Sequence, residues 1–213
     1  MRRKLINGFI SLIAAIVLIA IFVTGAFVVI RKLRSVVYYE DIILDKGSVT
    51  YLSAYYKLIY VEQLKLEGIA ADDSSEFWNS TNEYGQSYGD HFKASFEDYI
   101  RTMTAYAWIY SKQLGYTAEN KLMVHQRADE ILNQNHSGTR RGFNEKSREI
   151  GFDYNDFRNA AAFLYKAQSA QTSALDFSKF EDVKQSVKFG VRYDNIDILE
   201  IPMLTDDFII NFN

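Results

Sequence analysis

HFKASFEDYIRTMTAYAWIYSKQLG, residues 91–115, decides the fold class. Phe92, Phe96, Tyr99, Ile100, Met103, Tyr106, Ala107, Tyr110 and Leu114 recur with the 3.6-residue period of an α-helix. Gly89 precedes the run and Gly115 stops it. A helix with such a stripe must be covered by others, and its flanks supply them. Upstream, the stretch from about Thr50 to Glu67 sets Leu52, Tyr55, Tyr56, Ile59, Gln63 and Leu66 on one face, with Gly68 as terminator. Downstream, Thr117 is the N-cap of a shorter helix bearing Leu122, His125, Ala128, Ile131 and Leu132. Asp153 and Asp156 open an Ala-rich helix through Leu175 that buries Phe157, Ala161, Leu164 and Ala167. Shorter helices are expected within Ser137–Arg148 and over Lys179–Lys188.

Strand signals are few. Val36–Leu44 (VVYYEDIIL) is β-branched and aromatic before a turn at Asp45-Lys46-Gly47, so it reads as a strand or as the prolongation of a preceding helix. Asp194–Pro202 (DNIDILEIP) alternates polar and apolar, a strand signature. Ala70–Gly89 is a polar connection in which Phe77 and Trp78 are expected to plug back into the core. The fold class is therefore mostly α, with short flanking strands.

Composition agrees. One proline (Pro202) in 213 residues favours long uninterrupted helices. With 15 Tyr, 15 Phe and 2 Trp the chain can bury enough surface to order itself. The absence of cysteine excludes disulfide staples, thiolate metal sites, a cysteine nucleophile and a lipidated N-terminal cysteine.

At the N-terminus, FISLIAAIVLIAIFVTGAFVVI (residues 9–30) carries no charge and only Ser11 and Thr24 as polar side chains. About 20 apolar residues span a hydrocarbon core, whereas a signal-peptide apolar region has about 7–15. Residues 1–34 therefore read as a cytoplasmic stub and a transmembrane signal anchor contacting the lipid bilayer through residues 9–30; a cleaved signal peptide is the alternative. Arg2, Arg3 and Lys4 on one side nearly balance Arg31, Lys32 and Arg34 on the other, with a slight excess favouring N-in and an extracytoplasmic body. Without those six basic residues the remainder holds 18 basic against 27 acidic side chains, a balance of −9. That charge argues against nucleic acid as a partner.

Catalytic patterns are missing from the sequence. His91, His125 and His136 lie at no metal-ligand spacing, and no nucleophile elbow or Gly-rich phosphate loop occurs. His125 reads as a core-edge side chain, and the acidic pairs Asp72-Asp73 and Asp206-Asp207 read as solvated turns. No catalytic residue, metal or cofactor is assigned, and the chain is read as a non-enzyme. The aromatic surplus carries more information. Tyr51, Tyr55, Tyr56 and Tyr60, and again Tyr106, Trp108 and Tyr110, cover more than one helix face. Two readings follow: a thick multi-helix core, or an apolar groove for extended polypeptide.

The feature order resembles a family. TYLSAYYKLIY, the aromatic loop at Trp78, YGDHFKASFEDYI, LGYTAEN and IGFDYNDFRNAAAFLYKAQ follow a membrane-targeted N-terminus. This pattern resembles the N-terminal helical chaperone domain of SurA/PrsA-type extracytoplasmic foldases, over residues 36–200 in feature order. In that family one helix opens as Gly115–Glu119 does here and another as Gly151–Phe157 does. The resemblance implies a membrane-anchored extracytoplasmic chaperone-like domain over residues 35–190 that holds unfolded or newly exported polypeptides. Tyr56, Tyr60, Trp78, Tyr106, Trp108 and Tyr110 are then the candidate peptide-binding residues. Residues 191–213 would be a strand-like segment at the start of the family's parvulin-type peptidyl-prolyl isomerase domain, too short to hold it, so no isomerase activity is expected. A non-enzymatic structural or sensory ectodomain of an envelope or secretion assembly is the alternative.

Overall fold

The computed structural model describes residues 35–210 and 212, and the anchor read over residues 9–30 lies outside the described residues. Among the described residues no helix is long and apolar enough to cross a membrane. The chain divides after Ser35, and the body beginning at Val36 is a mostly helical unit of seven helices and a three-stranded sheet.

The stretch Val36–Leu44 does not form one strand. Glu40 adopts a left-handed backbone (φ 47°), which folds the segment into a tight hairpin of β1 (Val37–Tyr39) and β2 (Ile42–Leu44). Much later β3 (Lys188–Phe189) pairs antiparallel with β1, giving the order β2-β1-β3. Asp45, expected in a turn, is instead the N-cap of α1 (Lys46–Leu66), its carboxylate accepting the Ser48 N–H at 2.9 Å. The helix thus starts four residues earlier than its apolar period suggests.

A short helix, α2 (Ser75–Asn79), interrupts the polar connection under a Ser74 cap, and Phe77 and Trp78 turn inward as expected. The decisive helix α3 (Tyr88–Gln113) is capped by Ser87 and ends before Gly115, whose φ of +74° suits glycine. Gly89, read as preceding the helix, lies inside it because Ser87 is the cap, and a Cβ at this position would meet the Trp78 carbonyl oxygen at 3.0 Å. α4 (Ala118–Asn135) begins with a capping box between Thr117 and Asn120, and α5 (Arg140–Ser147) follows a Thr139 cap. α6 (Tyr154–Thr172) begins with the Asp153–Asp156 box and stops three residues short of Leu175; α7 (Phe180–Ser186) completes the set.

α3 and α6 form the central pair, with α1 and α4 against α6 and α7 against α3. Two aromatic clusters fill the interior. In one, Tyr51, Phe143, Phe152, Phe157 and Phe208 meet largely edge to face at centroid distances of 5.1–6.1 Å. In the other, Tyr56, Tyr60, Trp78, Phe92, Phe96 and Tyr99 stack between α1 and α3. The face assigned to α1 is rotated: Ile59 and Leu66 are 40% and 89% exposed, while Tyr51, Ala54, Lys57, Val61 and Leu64 are buried.

Asp194–Pro202 is not a strand. Ile198 and Ile201, three residues apart, are buried, so burial does not follow the alternation, and the segment pairs with no strand among the described residues. The carbonyls of Leu199 and Ile201 instead accept from the Lys57 ammonium at 2.8 and 2.5 Å. A side chain takes the place of a neighbouring strand. Beyond it, Leu204, Phe208 and Ile210 add to the same core as α1 and α6.

Candidate functional site

The six nominated aromatics fall in four different surroundings. Tyr56, Tyr60 and Trp78 belong to the α1–α3 stack, where Tyr60 and Trp78 are buried and Tyr56 half-buried. The Tyr60 hydroxyl lies 2.7 Å from His91 Nδ1, and burial pushes its pKa up to about 12. Tyr110 is buried against Tyr165. Trp108 is half-buried edge-on to Tyr39, donating from its indole N–H to Glu40 at 2.9 Å, while Lys112 lies over its ring. Five of the six are therefore engaged inside the body or in its surface contacts.

Tyr106 is the sixth, and it borders a cleft. Its ring centroid lies 4.7 Å from Phe180 and 5.8 Å from Phe177, and Gln171 and Glu181 complete the lining of a space of about 370 Å³. Phe177 is 36% exposed. The loop that carries it is held in place rather than loosely attached: Gln113 donates to the Asp176 carbonyl at 2.7 Å and accepts the Asp176 N–H at 2.9 Å. Asp176 in turn accepts from the Ser178 N–H at 2.8 Å. Three aromatic rings are thus presented on a braced frame, with one carboxylate and one amide at the edge. Such a surface accepts a large apolar side chain with little ordering cost.

A second cleft, of about 340 Å³, is polar and lies between α4 and α6, lined by Tyr116, Lys121, His125, Asn155, Arg158 and Asn159. Arg158 donates to His125 Nε2 at 2.6 Å. Because a guanidinium only donates, this ring nitrogen is the acceptor and the neutral imidazole carries its proton on Nδ1. Burial, and then the charges of Arg158 and Lys121, hold the His125 pKa below its ordinary value, which agrees with that form. The histidine is a core-edge residue, as its helix position suggests, with a polar partner that the sequence does not reveal.

The sequence missed Lys57. Lying in a helix read for its tyrosines, it is fully buried, and its ammonium pairs with Asp73 at 2.8 Å besides the two carbonyls. Asp73, read as a solvated turn residue, also accepts from Trp78 Nε1 at 3.0 Å and from the Met203 N–H at 3.0 Å. The arrangement ties α1, the loop before α2 and the C-terminal segment together. Its donors and acceptors are all used, so it is a clamp and not an open site. The ordering of a lysine between two tyrosines at i−1 and i+3 gives no sign of this. Among the described residues no group of His, Asp and Glu is placed to hold a metal ion.

Compared with family models, with curated proteins and with solved structures, the chain matches none of them.

Proposed function

We propose that the chain is a non-enzymatic binding protein for unfolded or newly exported polypeptide, held at a membrane by residues 9–30 with its helical body outside the cytoplasm. The observation that carries the reading is the braced cleft of Tyr106, Phe177 and Phe180. Its size suits one or two apolar side chains of an extended segment, and unfolded clients expose such side chains. The resemblance of its feature order to SurA/PrsA-type chaperone domains supports the same reading. The test is aggregation of a reduced, unfolded client in the presence of the full chain. Suppression at near-stoichiometric ratios is expected, weakened about tenfold by Tyr106→Ala and Phe180→Ala at unchanged helical content, the effect of losing a binding anchor. No suppression by the parent chain, or suppression indifferent to both substitutions, removes the proposal.

One observation favours a second reading. Tyr60, Trp78 and Tyr110 are buried, which leaves a local aromatic cleft and not a continuous groove. A local cleft also fits a single folded partner, as in a structural or sensory ectodomain. Recovery of one stoichiometric folded partner from membranes, with no affinity for unfolded clients, would favour that alternative.

A further inference from the structure

We propose that the cleft between α4 and α6 binds a phosphate group as its dianion. Two features make it a built site and not a surface charge cluster. The Tyr116 hydroxyl and Arg158 Nε are both buried and have no hydrogen-bond partner among the described residues. Buried donors are costly to leave unpaired, and here two of them belong to residues that line the same cleft. Lys121, His125, Asn155 and Asn159 line the rest of the cleft.

The charge suits a dianion. Lys121 and Arg158 supply two positive charges beside a neutral imidazole, and Lys166, 4.6 Å from the Tyr116 ring, adds a third behind it. Asp129 is the nearby carboxylate, and it is engaged by the Tyr154 hydroxyl. Arg158 is held from two sides, by His125 and by the Tyr154 ring 5.8 Å away, so its planar fork is preorganised. The donor-bearing residues of the lining come from two helices and from the turn before α4. That suits the tetrahedral oxygens of phosphate better than the two coplanar oxygens of a carboxylate.

The source of the group, a free ion or the ester head of a larger molecule, is separated by the test. Calorimetric titration of the full chain in nonionic detergent uses inorganic phosphate, glycerol 3-phosphate and acetate as probes. Saturable phosphate binding is expected, with acetate weaker by about tenfold or more. Tyr116→Phe keeps the ring and removes only the hydroxyl, and Lys121→Gln changes an exposed side chain, so both variants retain the packing. Each should weaken phosphate by about three- to tenfold. Tighter glycerol 3-phosphate points to an esterified ligand, and equal affinity to the free ion. The proposal is overturned if neither phosphate probe saturates, if acetate binds as well as phosphate, or if both variants bind like the parent.

Discussion

Lys57 sits fully buried in the middle of a 21-residue helix, with its charge answered by Asp73 and two carbonyl oxygens. Burial favours the neutral amine and lowers its pKa, and Asp73 opposes that effect. Removing one partner of such a pair leaves the other charge in a poor solvent and costs about 3–5 kcal/mol, whereas replacing both by apolar groups costs far less. Lys57→Ala should therefore lower the urea unfolding free energy by about 3–5 kcal/mol, and Lys57→Met with Asp73→Asn should recover much of the loss. A loss below about 1 kcal/mol in the single variant would mean that the clamp is not what holds residues 197–204 on α1. The pattern of residues 50–67 could not expose this role. A long side chain counted as polar in a periodicity marks a solvent face, and Lys57 marks the reverse.

At the scale of elements, the N-termini of α1 and α6 come together. Asp45 and Asp153 cap the two helices, and Asp156 of the second capping box lies so close to Gly47 that a Cβ there would overlap its carboxylate. Burial, then the neighbouring charges of Asp153 and Asp45, raise the Asp156 pKa to about 6, against the pull of the Asp153 N–H that it accepts. A carboxyl raised on folding adds stability below its unfolded value, and this contribution is lost as pH rises through about 6. Between pH 7 and 5 this group makes the folded state gain on acidification. His125 and His136, both held low by burial, act in the opposite sense. Comparing the parent with Asp156→Asn isolates the carboxyl. The variant should be the more stable of the two at pH 7 in thermal melts, and the gap should close towards pH 4. A gap independent of pH would contradict the raised pKa.

The caps at Thr117 and Asp153 were legible in the sequence because they are local: one side chain, one N–H, three residues apart. The rotated face of α1 and the unpaired run at 194–202 were not, because each is decided by partners more than a hundred residues away. Alternation in 194–202 marked an apolar segment that reaches the core but not its pairing or its period, since alternation carries no information about what satisfies the backbone. The polar cleft was hidden for the same reason. Lys121 and His125 share one helix, Asn155, Arg158 and Asn159 share another, and only packing joins them.

For the whole molecule, the aromatic surplus divides into two interior clusters and one surface cleft. The two clusters hold eleven of the 32 aromatic side chains and draw on α1 and α3, the helices read as apolar on two faces, which is why a thick core and a binding surface could not be told apart before the helices were placed. Tyr106 was legible as one of the aromatics that cover more than one face of α3, while Phe177 and Phe180 were not, because the loop that brings them to it is set by its hydrogen bonds to Gln113. Client contact at that cleft is the central claim. A photo-crosslinking phenylalanine analogue placed at Phe177 of the full chain in nonionic detergent tests it most directly, with Tyr84, an aromatic residue 85% exposed on another loop, as the control position. Mixed with a reduced, unfolded client and illuminated, the chain should crosslink from position 177 and not from position 84. Equal crosslinking from both positions, or none from position 177, would contradict the account.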